Sequence, residues 1–141
     1  MSNFSEQQRE LKVQKKILQL EDDLVIWIQK ALDKSQYGNL QEAQFRNLLR
    51  VADTTESAEV IKNFLRYQVG RDKKWGRGEN SLAARIIQDI DSQLKQNAKN
   101  IALSCNTDDF KSIWIELIRR YLGYGSRHLV YKLKGEQNEK K

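Results

Sequence analysis

The sequence predicts an all-α protein, a compact bundle of five to six helices, on three observations. None of the 141 residues is proline, the residue least compatible with a helix interior. Apolar residues recur three and four apart instead of alternating, which is the period of a helix face. Turn-forming residues are gathered into a few short clusters that divide the apolar stripes from one another.

The first helix is expected from Ser5, with Leu11, Ile17, Leu20, Leu24, Trp27, Ile28 and Ala31 along a wide stripe that Leu18, Val25 and Leu32 broaden. It reads as the longest helix and ends at Tyr37, Gly38 and Asn39, residues that tolerate a left-handed backbone. Phe45, Leu48, Leu49 and Ala52 mark a short second helix, and Asp53, Thr54 and Thr55 a cap region before the third. The third carries Ala58, Ile61, Phe64, Leu65 and Gln68 on one face, while Lys62 and Arg66, four apart, share another. Gly70, Gly76 and Gly78 open the one substantial loop, and Ser81 caps a fourth helix with Ala83, Ile86, Ile87, Ile90, Leu94, Ala98 and Ile101 on its stripe. The fifth has the cleanest period, Phe110, Ile113, Trp114, Leu117, Ile118, Tyr121 and Leu122, opposite Arg119 and Arg120. Gly123 and Gly125 are expected to kink or end it, and Ser126 to cap a last short helix.

Length and composition fit one helical domain over residues 1–134, followed by a polar tail, 135–141, that is expected to fray. With 39% hydrophobic and 31% charged residues, the chain has material for a core and a polar surface. Its apolar runs fall short of the roughly 18 residues that a membrane span needs, and no signal-peptide profile opens it, so the expected location is the cytoplasm. The lone Cys105 agrees with a reducing compartment.

Little here points to catalysis. One histidine, His128, and one cysteine cannot assemble a zinc site of the usual type within one chain. The acidic runs Glu21–Asp23 and Asp108–Asp109, and the pair Asp89 and Asp91, sit at spacings that point apart on a helix, so no metal site is expected. Asp108 and Asp109 read instead as acids favoured at a helix N-terminus. His128 beside Arg127 is a conceivable nuclease base that lacks a marked partner. The loop of Gly70–Gly78 lacks the preceding strand and the Gly-Lys-Ser/Thr ending of a phosphate-binding P-loop. No cofactor is expected.

Charge is where the sequence becomes informative. Residues 60–78 hold Lys62, Arg66, Arg71, Lys73, Lys74 and Arg77 against Asp72 alone, and residues 117–135 hold Arg119, Arg120, Arg127, Lys132 and Lys134 with no acid. Each stretch is +5 in a chain of +6, so everything else sums to −4. Such segregation is the footprint of a polyanion partner. Tyr67 and Trp75 in the first stretch, and Tyr121, Tyr124 and Tyr131 in the second, are rings suited to stacking on unpaired bases. The competing readings are solvated helix faces for the charges, core positions for some of the rings, and a flexible connector whose Trp75 folds back onto the core.

Placed on these elements, Gln44-Phe45-Arg46-Asn47-Leu48-Leu49, then Arg66-Tyr67-Gln68-Val69-Gly70-Arg71, then Phe110, Glu116 and Tyr121, follow one another over residues 40–131. In that order they resemble motifs of the small helical subunit of type III CRISPR effector complexes, with the Gly123–Gly125 region and the glycine-rich insertion pointing to a divergent branch such as type III-D. The resemblance implies a non-catalytic subunit of an antiviral-defence ribonucleoprotein. Its partners would be the guide and target RNA, the other effector subunits and further copies of itself, with no membrane. Arg46, Arg66 and Arg71 occupy the motif arginines and become the leading phosphate contacts. The full expected RNA-facing ridge is Arg46, Lys62, Arg66, Arg71, Lys73, Lys74, Trp75, Arg77, Arg119, Arg120, Arg127 and Lys132. A helical adaptor that uses the same cations to bind an acidic protein is the alternative.

Overall fold

The break at Leu20 decides how the N-terminal third is built. In the computed structural model, which describes residues 2–136, the expected single first helix is two: α1 (Ser2–Gln19) and α2 (Glu21–Lys34). Leu20 sits at φ −93°, ψ −2°, and Glu21, Asp22 and Asp23 then form an acidic first turn that favours a helix start. The apolar period runs through the break because Ile17, Leu24 and Ile28 are all buried on the same core.

The remaining elements are α3 (Glu42–Thr54), α4 (Ala58–Arg71), α5 (Leu82–Asp89), α6 (Lys95–Ser104) and α7 (Phe110–Val130). Among the described residues no strand forms; Gln36 and Ser81 make an isolated bridge. Local chemistry explains the helix starts. The Gln44 side chain accepts from Gln41 N–H at 2.9 Å at the head of α3. Ser57, Ser81 and Asp109 accept from the amides of Val60, Ala84 and Ser112 at 3.3, 3.1 and 3.2 Å, each satisfying one donor that a helix N-terminus leaves over.

At 21 residues α7, and not the first helix, is the longest, and it packs along α2, α3 and α6. Gly123 and Gly125 do not end it, and Ser126 starts no separate helix: α7 continues into a π turn over Tyr131–Gly135. Gly125 serves close packing. A Cβ there would lie 2.6 Å from Ile28 Cγ1 and 2.8 Å from Phe45 Cζ, so its absence lets α7 approach α2 and α3. The expected frayed tail begins as helix through Glu136; residues 137–141 lie outside the described part.

A second π turn, Ile90–Leu94, joins α5 to α6 without a gap. Such turns leave a carbonyl without its usual helical partner, and here Trp114 Nε1 donates to Ile90 O at 2.8 Å. Beside it Asp89, 1% exposed, accepts from the Tyr121 hydroxyl and from Arg85 Nε at 3.2 Å. Burial pushes the Asp89 carboxyl above its ordinary value, although both bonds pull the other way.

The loop expected to lie open is laced to the chain after α2. Gln36 N–H donates to Asn80 O at 2.9 Å, Gly38 N–H to Lys74 O at 3.1 Å and Leu82 N–H to Gln36 O at 3.0 Å. Gly76, at φ +82°, lies where a Cβ would be 2.2 Å from Gln36 O, so both conformation and space demand glycine.

Candidate nucleic-acid interface

Sorting the expected ridge by what each side chain touches finds five of its twelve members engaged within the fold. Trp75 is 1% exposed and lies against Phe45, ring centroids 5.3 Å apart, so it is core and cannot stack on a base. Lys62, 6% exposed, places Nζ 2.5 Å from Glu59 and 2.7 Å from Asp91. Burial opposes its charge, but the bonds to the two carboxylates outweigh it and hold the ammonium above the ordinary lysine value. Arg119 donates to Ala52 O at 2.9 Å and Thr55 O at 3.0 Å and pairs with Glu56, satisfying carbonyls that the end of α3 leaves unpaired. Arg120 ties α7 to α2 through Glu21 at 2.9 Å while bonding Glu116 on its own helix. Lys132 shares Asp33 with His128 at 2.8 and 2.9 Å. Burial would raise the Asp33 carboxyl, but the bonds from Lys132 and His128 prevail and lower it.

The rest gather toward one end of the bundle. α3 and α4 pack together across the three-residue link 55–57, and so run antiparallel. The head of α3, with Arg46, therefore lies beside the tail of α4, with Arg71; the Phe45–Trp75 contact confirms this. The loop after α4 is tied to the end of α2, and Lys134 at the end of α7 comes within 3.8 Å of Glu42 at the start of α3. The C-termini of α2, α4 and α7 meet here, and their partial negative ends favour cations whatever else the cations do.

Within this end the densest free charge is on the outer face of α4. Arg66, Tyr67, Gly70 and Arg71 are exposed in succession, with the Arg71 guanidinium 5.6 Å from the Tyr67 ring centroid. Arg77 Nε donates to Val69 O at 3.3 Å, bringing the loop's cation back onto the helix, and Lys73 is exposed nearby in sequence. Asp72 turns inward to accept from Lys74 N–H at 2.9 Å, and Lys74 is half-buried. Tyr67 is 58% exposed and Tyr131 41%, so Tyr67 is the more accessible of the rings that a base can reach. Arg46 is exposed but paired with Glu42 at 3.2 Å, and exposed Arg127 lies over Tyr124 at 5.8 Å.

Of the other rings in the basic stretches, Tyr121 is core, while Tyr131 packs by His128, 6.1 Å between centroids. Among the described residues no three His, Cys, Asp or Glu side chains come together as a metal site. No described helix is long and apolar enough to cross a membrane. No protein-family model, curated protein or solved structure matches this chain.

Proposed function

We propose that this chain is a non-catalytic RNA-binding subunit, the small helical subunit of a type III CRISPR RNA-guided effector complex, stacking along the backbone subunits and meeting the guide and target RNA. The observation that carries the reading is the α4 patch. Arg66, Tyr67 and Arg71 face solvent together, Arg77 is anchored to the same helix end, and these residues include the second motif of the resemblance. Arginines flanking an accessible ring supply phosphate contacts and a stacking surface in one place. Arg46 and Arg127 extend the surface; Lys62, Arg119, Arg120 and Lys132 are engaged in ion pairs within the fold. The third motif lies within the fold: Tyr121 bonds Asp89 across elements, and Glu116 bonds Arg120 on its own helix.

Affinity purification of the tagged chain from its host, followed by native mass measurement, tests this. The expected result is co-purification with RNA and larger protein subunits. Recovery with an acidic protein and no RNA would replace the reading by that of a helical adaptor. RNA cleavage by the pure protein that disappears in His128→Ala would replace it by that of a nuclease.

A further inference from the structure

The first three turns of α1 touch little of the body: residues 3–12 are all exposed. The helix is held lower down, where Val13, Ile17 and Leu20 pack on the core and Lys12 Nζ donates to Ser104 O at 3.0 Å. On the opposite side it carries Phe4, Leu11 and Leu18, 65%, 71% and 54% exposed. They are seven residues apart, so they drift only about 20° per step around the helix and form a straight seam. Three large apolar side chains at that spacing do nothing for the fold. The seam is one side chain wide, flanked by Gln7, Gln8, Gln14 and Lys15, too narrow for the broad apolar face of a helix lying in a membrane surface.

We infer that this seam pairs with α1 of a second copy, in parallel and in register. The charges flanking it select that occupant. With Phe4, Leu11 and Leu18 at one core position of a heptad, Gln7 and Gln14 fall at the other, Glu10 falls at the position just before the seam and Lys15 at the one just after the second core position. Five residues separate them, the spacing at which such positions meet across a parallel two-stranded coil. Each Glu10 then faces the second copy's Lys15, twice over by symmetry. An antiparallel pairing centred on Leu11 sets Glu10 against the second copy's Glu10 instead. In the parallel register Gln7 and Gln14 each meet their own counterpart, and an amide carries both the donor and the acceptor that an identical amide needs. Arg9, Lys12 and Lys16 fall outside the seam. With about two and a half heptads in 18 residues, the dimer is weak and depends on concentration.

Sedimentation equilibrium on the full, RNA-free chain over a wide concentration range reads this. A reversible monomer–dimer equilibrium is expected. Leu11→Asp should abolish it with an unchanged helical spectrum, since Leu11 is solvent-exposed. Glu10→Lys and Lys15→Glu should each weaken it, and the two together should restore it. Gln7→Cys, with Cys105→Ser, should cross-link on oxidation, because only the parallel register brings two such residues together. A monomer at every concentration up to the solubility limit, a dimer indifferent to Leu11→Asp, failure of the charge swap to restore association, or no cross-link at position 7 would each overturn the assignment.

Discussion

The Tyr121 hydroxyl of α7 donates to the buried carboxylate of Asp89 at the last turn of α5, a bond made entirely inside the core. It joins two segments 32 residues apart where the helix widens into its π turn, and so fixes how α7 lies against the α5–α6 rod. Tyr121→Phe leaves the carboxylate with Arg85 alone and is expected to cost about 1–3 kcal/mol, the penalty for an unsatisfied buried polar group. The pH dependence has a definite sign. A carboxyl raised in the folded state contributes stability that is fully present below the ordinary value of 3.8 and lost as pH rises through the raised value. Removing the hydroxyl raises it further, so the deficit of Tyr121→Phe should be larger at neutral pH than in acid, as read by urea denaturation. An equal deficit at both would show that the bond does not bear on the titration.

Two glycines two residues apart in α7 should respond in opposite directions. Gly125→Ala drives a methyl into Ile28 and Phe45, overpacking that costs about 1–3 kcal/mol. A Cβ at Gly123 meets nothing within 4 Å, so Gly123→Ala should stabilise by roughly 1 kcal/mol through helix propensity alone. Thermal denaturation of both variants decides it; if both stabilise, α7 does not approach α2 as closely as described.

That pair also shows what was legible in the sequence. The all-α class, the cap at Ser81 and the acids at the head of α7 follow from local rules, because period, capping and the helix dipole depend on residues within one turn of each other. A glycine inside so strong a helical stripe was itself a signal of close approach, but its local meaning, a break, is the one that a single segment suggests. The break at Leu20 and the π turn at Ile90 leave the apolar period almost undisturbed, so the period does not reveal them; the acidic run Glu21–Asp23 after Leu20 was the one local mark of a helix start. The basic stretches were legible as charge and not as surface. Arg119 reaches carbonyls 67 and 64 residues away and Lys62 a carboxylate 29 residues away, partners that only the folded chain supplies.

Asp33 fastens the end of α7 to α2 through Lys132 and His128. Asp33→Asn should therefore speed amide hydrogen exchange over residues 128–136 while leaving the core near Asp89 protected. Because the carboxyl is lowered in the folded state, its contribution is present above the ordinary value of 3.8 and fades as pH falls through the lowered one. Protection in the wild type, taken relative to the intrinsic amide exchange rate at each pH, that is just as high in acid would mean that the fastening is not ionic.

Trp75 and Tyr67, both in the first basic stretch, should separate stability from binding. Trp75→Ala empties a core site and is expected to cost about 3–5 kcal/mol of stability, with RNA affinity following only through unfolding. Tyr67→Ala, at an exposed position, should change stability by less than about 0.5 kcal/mol. On the proposed function it should weaken single-stranded RNA binding by about 1–3 kcal/mol for the base it stacks. Unchanged affinity in Tyr67→Ala would remove the ring from the interface.

The charges of the α4 patch give the sharpest test of location against total charge. Arg66→Ala with Arg71→Ala removes two cations from the outer face of one helix, neither of them in an ion pair among the described residues. For a single strand each phosphate contact contributes about 0.7 to the slope of log affinity against log salt, so the double variant should flatten that slope by up to about 1.4. Lys99→Ala with Lys111→Ala makes the same change in net charge at the opposite end of the bundle, where α6 ends and α7 begins, and both lysines are exposed. It should leave the slope nearly unchanged. Equal flattening by both pairs would mean that RNA senses only the net charge of the chain, and the α4 patch would then hold no special place in its binding.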